Sequence, residues 1–291
     1  MSSEPNIILY DITSQLIPQA WCALHSCHVS RSEHIAHHFP GILTDGKLGL
    51  SSHRSLFIWC SHLCRIVLNY KRIPYKTVWL SYPDIEGKLV ELGCAPTGTT
   101  PKDPSRPFYT LPAIVDTSST PPVAIADSLA IAEYLDAKYP SRPVFPKTGK
   151  ALEYAFEEYF KSVLVPRIPM LLLLPSCVIL DDRGSEYFRR TRELWFGKTL
   201  EEFSEGEVRE SQWKAFEAGY DQIAAIIEKN GPDVDYVAGG SEPTRADIIL
   251  MSFLIWIKII LPDEWEKRVK HWSGGRWERL LKKTEEWQAV V

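Results

Sequence analysis

Short apolar runs alternate with amphipathic stretches over the first half of the chain. Four runs rich in aliphatic, β-branched or aromatic residues predict strands: Ile7–Ile12, Lys76–Leu80, Leu111–Val115 and Val123–Ala126. Three stretches whose apolar positions share one helical face predict helices: Arg65–Arg72, Asp84–Gly93 and Asp127–Tyr139. A turn-rich segment, Asp116–Pro122, joins the last two strands and is suited to a hairpin.

The order of these elements, β-α-β-α-β-β-α, is the thioredoxin-like arrangement. The following segment, Pro140–Gly149, is rich in Pro and Gly and is typical of a linker. From Ala151 to Val291 the chain shows helical periodicity and almost no strand pattern. We therefore expect an α/β thioredoxin-like domain over residues 1–146 and an all-α domain over residues 151–291.

One apolar stretch in the second half, Ile248–Leu261, has the length of a buried core helix. Thr244 and Asp247, just before it, match the Ser/Thr-x-x-acid capping box, in which two residues exchange hydrogen bonds at a helix N-terminus. We expect this box to help fold a core helix and assign it no catalytic role. The stretch is too short to cross a bilayer and contains Lys258, so we expect no membrane span.

The composition limits location and partners. A chain that is 45% hydrophobic and 24% charged has ordinary globular values, which argues against disorder. The net charge of -4 counts against a general nucleic-acid binder. No signal-peptide pattern is visible, and six Cys in 291 residues are not a disulfide framework. These features favour a reducing, cytoplasmic setting.

Two short motifs are candidates for a binding site. A cis Leu111–Pro112 peptide would turn the Leu111 backbone outward to pair with an extended peptide, whereas a trans proline would simply start a strand. Asp127 and Ser128 open a helix, where unpaired N–H groups and the Ser128 hydroxyl suit a carboxylate. Plain capping is the alternative interpretation of the second motif.

Together with the capping box, these motifs resemble the soluble glutathione transferases. The matching residues are the strand start Tyr109–Ile114, the turn Ala126–Ser128 with Ile131–Leu135, and Thr244–Asp247. Two further stretches look like the fungal etherase-related class of that family: Leu68–Thr77 and Ser81–Glu86. The resemblance covers residues 6–20 and 65–150 well and residues 151–291 more loosely.

The resemblance implies that glutathione is a co-substrate. Leu111, before a cis Pro112, would pair with the cysteinyl backbone of the tripeptide, and Asp127 and Ser128 would hold its γ-glutamyl end. The glutathione thiolate would attack a hydrophobic electrophile held by the helical domain. The family is typically homodimeric, and we expect no metal, no nucleic acid and no membrane as partners.

The family carries its thiol-activating hydroxyl in a short loop between the first strand and the first helix. Here Gln19–Trp21 matches the start of that loop and Arg65–Leu68 its end, but residues 22–64 stand between them. Seven of the eight His and four of the six Cys lie in these residues, which we call the His/Cys-rich segment.

Three interpretations of the His/Cys-rich segment compete. A metal site has suitable donors, but their spacing lacks the usual pair of pairs. A real loop insertion of this length inside a compact domain is uncommon. A retained intron or mis-joined exon explains both the unusual composition and the family matches on either side, and we favour it.

The interrupted loop leaves the catalytic group in doubt. Ser61 is the nearest hydroxyl, four residues before the predicted helix, and isolated Ser residues are also common in loops. Cys60 or Cys64 would favour disulfide exchange instead. We expect a transferase for hydrophobic aromatic or secondary-metabolite electrophiles, with a role in detoxification or secondary metabolism. A non-catalytic binder of glutathione and apolar ligands is the alternative.

Overall fold

The computed structural model describes residues 5–15, 60–203, 206–232 and 234–290. In the first part of the chain the elements are β1 (Ile7–Ile12), α1 (Cys60–Tyr70), β2 (Tyr75–Leu80), α2 (Ile85–Glu91), β3 (Gly98–Thr100), β4 (Asp103–Phe108), β5 (Ala113–Asp116), β6 (Val123–Ala126) and α3 (Ser128–Lys138). All four predicted strands are present, and α3 begins one residue after its predicted start.

Four of these strands form one mixed sheet in the order β2-β1-β5-β6. β1 runs parallel to β2, with Ile7 opposite Tyr75, and antiparallel to β5, with Ile7 opposite Asp116. Successive residues of a strand point to opposite faces. Ile7 and Leu9 therefore pack with α1 and α3, while Tyr10 packs with α2. The thioredoxin-like prediction is confirmed.

Two features of this half differ from the sequence prediction. The hairpin β3–β4 was not predicted, because its Pro-rich, polar residues are mostly exposed and pair only with each other. The first helix begins at Cys60 rather than Arg65. Leu63, Ile66, Val67 and Tyr70 are buried along one face of α1, so its apolar periodicity starts inside the His/Cys-rich segment.

Among its described residues the second half forms helices joined by turns and loops, with no strand beyond an isolated bridge of Leu180 to Ser14. Its helices are α4 (Ala151–Leu164), α5 (Ile168–Leu171), α6 (Leu173–Val178), α7 (Asp182–Phe196), α8 (Gly206–Ile227), α9 (Arg245–Ile260), α10 (Pro262–Lys267) and α11 (Trp272–Lys283). α9 is buried along nearly its whole length and packs on α1, so one hydrophobic core spans both halves. In the described part of the chain no helix is both long and apolar enough to cross a membrane.

The capping box at the start of α9 forms as predicted. Asp247 Oδ2 accepts the Thr244 N–H at 2.8 Å, and Asp247 Oδ1 accepts the Val237 N–H at 2.7 Å. Asp247 is 0% exposed, and burial is the main reason that its pKa is raised to about 7. The nearby Glu153 carboxylate raises this pKa further. The box thus stabilises a core helix, as the sequence indicated.

Polar contacts connect the part of the chain from β1 to α3, which we call the sheet half, to the N-terminus of α7. Arg183 forms two hydrogen bonds to the Asp84 carboxylate, at 2.9 and 2.7 Å. Ser81 Oγ donates to Asp181 Oδ1 at 2.8 Å, and Asp181 also caps α7 through the Gly184 N–H. These contacts lie beside the cleft between the two halves and fix the position of α7 against the sheet.

Candidate functional site

A cavity of about 260 Å³ lies between the sheet half and helices α4 and α7. All four residues predicted to bind glutathione line it: Leu111, Pro112, Asp127 and Ser128. The two motifs are separated along the chain by the β5–β6 hairpin. Since β5 and β6 are antiparallel neighbours, the start of β5 and the end of β6 lie side by side.

The Leu111–Pro112 peptide is cis. Leu111 is buried, with 4% of its surface exposed. It lies two residues before Ala113, the first residue of β5, which pairs with Tyr10 of β1. The Leu111 backbone therefore lies beyond the paired part of the strand and at the cavity wall. Of the two interpretations left open by the sequence, the cis peptide is the one found.

Asp127 occupies the N-cap position of α3 with φ of 84° and ψ of 123°. Its Oδ1 accepts the N–H groups of Leu129 at 2.9 Å and Ala130 at 3.2 Å. The capping interpretation is thus correct for these two N–H groups, and they are not available to a ligand. The hydroxyl and N–H of Ser128 are the polar groups that remain at this end of α3 for a carboxylate.

The opposite wall of the cavity comes from side chains of the helical half. Tyr154, Glu157, Glu158 and Lys161 of α4 contribute to it, together with Tyr187 and Arg192 of α7. Lys161 bridges Glu157 at 2.8 Å and Glu158 at 3.0 Å, and Glu157 also binds Arg245 at 2.6 Å. Sequence reasoning missed these residues, because amphipathic helix faces alone do not show which face meets a cavity.

The sequence of the apolar, Pro-broken stretch Val165–Pro175 suits either a pocket wall or the core, and the stretch does not line this cavity. Five of its side chains are at most 1% exposed: Val165, Ile168, Leu171, Leu172 and Leu173. Phe253 and Trp256 of α9 are equally buried and pack edge to face, with ring centroids 5.3 Å apart. These residues belong to the core.

The position of the family's catalytic loop falls mostly in residues 16–59, which lie outside the described residues. Among them are Cys22, Cys27, His28, His37 and His38, which are donors for the metal site considered from the sequence. Because α1 begins at Cys60, Ser61 lies in its first turn instead of four residues before it, and its side chain is outside the described set. In the described remainder no group of three or more His, Cys, Asp or Glu side chains is placed to hold a metal.

His62 and Cys64, also in the first turns of α1, are buried. Burial lowers the pKa of His62 to about 4, against the raising effect of Asp11. His62 is therefore neutral at pH 7 and supplies no positive charge that would stabilise a thiolate. Cys64 is 0% exposed and belongs to the main core, so it is not placed for disulfide exchange.

A thioredoxin-like sheet, a helical second half and a cleft between them together define a class of proteins, and comparisons with known proteins agree with it. The glutathione S-transferase N-terminal domain model matches residues 59–138, and the glutathione S-transferase C-terminal domain model matches residues 151–287. The first match begins at residue 59, next to the observed start of α1.

Individual relatives support the same family. The glutathione S-transferase-like protein ustS of Aspergillus flavus is 36% identical over 250 residues, which cover 79% of this chain and 84% of the relative. The glutathione S-transferase CsGST63524 of Ceriporiopsis subvermispora, solved in complex with glutathione, is 32% identical with a TM-score of 0.79, covering 98% of each chain. Glutathione transferase GSTFuA3 of Phanerochaete chrysosporium is 29% identical with a TM-score of 0.77 over both whole chains. The chain belongs to the glutathione S-transferase family.

Proposed function

We propose that the protein conjugates glutathione to hydrophobic aromatic or secondary-metabolite electrophiles. The observation that carries the proposal is that Leu111, Pro112, Asp127 and Ser128 all line the same cavity. The Leu111 backbone offers a donor and an acceptor to the cysteinyl part of the tripeptide. Ser128, at the N-terminus of α3, offers its hydroxyl and N–H to the γ-glutamyl carboxylate.

The electrophile is proposed to lie against the helical wall of the cavity. Tyr187 and Tyr154 provide aromatic surface there, and Ile12, Ile85 and Leu129 provide apolar surface from the sheet half. Such a mixture of apolar walls and a few polar groups suits a small aromatic compound. With glutathione bound at Leu111 and Ser128, its thiol would stand between the two binding regions.

A second candidate function is binding of glutathione and apolar ligands without catalysis. It is favoured by the sequence after β1, where the His/Cys-rich segment, residues 22–64, interrupts the short loop that carries the family's thiol-activating hydroxyl. The neutral His62 does not compensate for this loss. Under this candidate the same cavity and the same four residues bind glutathione.

A conjugation assay with 1-chloro-2,4-dinitrobenzene and glutathione, paired with retention on immobilised glutathione, separates the two functions. Retention with turnover supports the transferase. Retention without turnover for this aryl halide and for an aromatic peroxide supports the binder. Failure of the chain to be retained, with no saturable glutathione binding in solution, contradicts both.

The His/Cys-rich segment needs its own test. Sequencing the transcript across the codons of Trp21 to Arg65 reveals whether a message coding the short loop exists. A spliced message with the short loop supports a retained intron or mis-joined exon. A continuous message that codes residues 22–64 contradicts that interpretation and makes the segment part of the protein.

Three further expectations remain predictions: domain boundaries at 1–146 and 151–291, a cytoplasmic location and, from the family resemblance, a homodimer. A native mass measurement at micromolar concentration tests the dimer directly. A mass of twice 33.2 kDa is expected. A mass of 33.2 kDa at all concentrations contradicts it.

A further inference from the structure

Three phenol hydroxyls of the cavity lining have no hydrogen-bond partner among the described residues: those of Tyr82, Tyr109 and Tyr187. The fourth phenol of the lining, on Tyr154, donates to Glu133 at 2.9 Å. The interrupted loop leaves the thiol-activating hydroxyl in doubt, so an unpartnered phenol in the cavity is a candidate for that role. The order of the strands selects one of the three.

The cavity runs along one end of the sheet and reaches all four of its strands. Ser128 follows β6 and Leu111 precedes β5, while Ile12 ends β1 and Tyr82 follows β2. Continuing the register of β5 with β1 places Leu111 next to Ile12, and Ile12 pairs with Leu80, two residues before Tyr82. Leu111 and Leu80 are thus separated by two strand spacings, about 10 Å.

Glutathione bound as proposed crosses these strand ends. With its γ-glutamyl end at Ser128 and its cysteinyl part at Leu111, the tripeptide runs from β6 towards β2. The thiol then lies within reach of a long side chain at the end of β2, and Tyr82 is that side chain. Tyr109 packs with the cluster beside α2, and Tyr187 belongs to the helical wall, where the electrophile is proposed to lie.

The ring of Tyr82 is held on several sides. It stacks on Tyr187, with centroids 6.2 Å apart and planes 20° apart, and meets Phe188 edge to face at 5.5 Å. Tyr82 also begins a short helical turn that is fastened to α7 at both ends, through the hydrogen bonds of Ser81 and Asp84. A donor that is already in place before the ligand binds is well suited to stabilise a charge that develops on that ligand.

The protonation state of Tyr82 decides which role its hydroxyl can take. Burial is the main reason that its pKa is raised to about 12. At pH 7 the hydroxyl therefore keeps its proton, so it donates a hydrogen bond and does not act as a base. The pKa of a free thiol is about 8.5, and a hydrogen bond donated to the thiolate lowers it.

We propose that Tyr82 is a catalytic residue whose hydroxyl donates a hydrogen bond to the sulfur of bound glutathione and so stabilises the thiolate. The thiol proton passes to solvent, and the phenol keeps its own proton throughout. The sulfur electron pair forms the bond to the electrophilic carbon, and the leaving group departs with the electrons of the bond that breaks, as chloride from an aryl chloride. This inference rests on the proposed function, since it requires glutathione at Leu111 and Ser128.

The test is the pH dependence of Tyr82→Phe, which removes the hydroxyl and keeps the ring that stacks on Tyr187. Turnover of 1-chloro-2,4-dinitrobenzene at saturating glutathione is measured from about pH 5.5 to about pH 9. We expect kcat of the variant to be about tenfold lower at the acidic end and to approach that of the unaltered chain at the alkaline end, where the thiol ionises without help. A purely structural role would lower kcat equally at every pH.

Tyr159→Phe is the matched control, because the Tyr159 hydroxyl donates to Gln222 at 3.3 Å and lies outside the cavity lining. Its pH profile should match that of the unaltered chain. Tyr109→Phe and Tyr187→Phe remove the other two unpartnered phenols and should leave the pKa of the bound thiol unchanged. An unchanged thiol pKa in Tyr82→Phe overturns the proposal. A rise in Tyr109→Phe or Tyr187→Phe instead of Tyr82→Phe overturns it as well.

A second measurement needs no electrophile. The ultraviolet absorbance of the bound thiolate, followed against pH, gives the pKa of the glutathione thiol directly, and this pKa should be higher by about 1 in Tyr82→Phe than in the unaltered chain. If the unaltered chain binds glutathione and leaves this pKa at its free value, the inference is overturned and the non-catalytic binder remains. Turnover with a lowered thiol pKa that Tyr82→Phe does not change overturns the inference alone. If the chain does not bind glutathione, the proposed function and the inference both fail.

Discussion

Helices α3 and α9 both begin at an Asp-containing cap, and the surroundings of the two caps differ. Asp127 at α3 binds the N–H groups of Leu129 and Ala130 and lines the cavity. Asp247 at α9 binds the N–H groups of Thr244 and Val237 and is 0% exposed. The local chemistry is the same, a carboxylate accepting two backbone N–H groups, but only the first carboxylate lines the cavity.

The comparison teaches that a cap becomes part of a binding site through what lies beside it. Beside Asp127 is Ser128, which lines the cavity together with Leu111. Beside Asp247 are Glu153, which accepts the Ala246 N–H at 2.7 Å, and the core side chains of α9. We therefore expect changes at α9 to alter stability and changes at α3 to alter ligand binding.

The largest expected effect is that of Asp247→Ala. The substitution leaves the buried Thr244 N–H and the partly buried Val237 N–H without their acceptor, and a buried group of this kind costs about 1–3 kcal/mol. We expect the free energy of unfolding to fall by about 3 kcal/mol in urea denaturation. The glutathione affinity of the remaining folded protein should be unchanged. A loss below about 1 kcal/mol would remove the distinction between the two caps.

The second expected effect is a pH dependence carried by Asp247. Its pKa is raised to about 7 in the folded chain, against 3.8 ordinarily, so the folded state binds the proton more tightly. The resulting stabilisation is complete below about pH 4 and is lost as the pH rises through 7. From pH 5 to 7.5 the unaltered chain should lose about 2 kcal/mol relative to Asp247→Asn, measured by urea unfolding. A constant difference between the two chains would contradict this account.

The third effect is smaller and concerns α3. Asp127→Ala removes the cap and should lower the unfolding free energy by about 1 kcal/mol. Asp127→Asn keeps an acceptor oxygen, and Asn tolerates the positive φ of 84° at this position, so its cost should be less than half as large. Thermal unfolding measures the stability of both variants. Equal destabilisation by Ala and Asn would show that the side-chain cap is not what stabilises this helix end.

The sequence predicted the parts of the molecule that depend on local patterns. The strands β1, β2, β5 and β6, the helix α3 and the box at Thr244–Asp247 follow from apolar periodicity and capping chemistry. The resemblance to a known family supplied the cis Leu111–Pro112 peptide, which is present. The patterns that predict these features each lie within a few neighbouring residues.

The remaining features depend on contacts between distant parts of the chain. Arg192 and Glu157 reach the cavity only because α4 and α7 pack against the sheet half, which no single helix pattern reveals. The start of α1 was placed too late, because the unusual composition of residues 22–64 concealed the spacing of Leu63, Ile66 and Val67. That spacing was the signal that would have identified the helix start.

The claim that glutathione binds at the N-terminus of α3 is tested most directly by calorimetric titration of glutathione into Ser128→Ala. Loss of the hydroxyl should weaken binding about tenfold, equivalent to about 1.4 kcal/mol, with an unchanged unfolding midpoint. Ser211→Ala is the control, since that exposed Ser on α8 binds only the Val208 carbonyl and lies outside the cavity lining. Equal glutathione affinity in the unaltered chain, Ser128→Ala and Ser211→Ala would contradict the account.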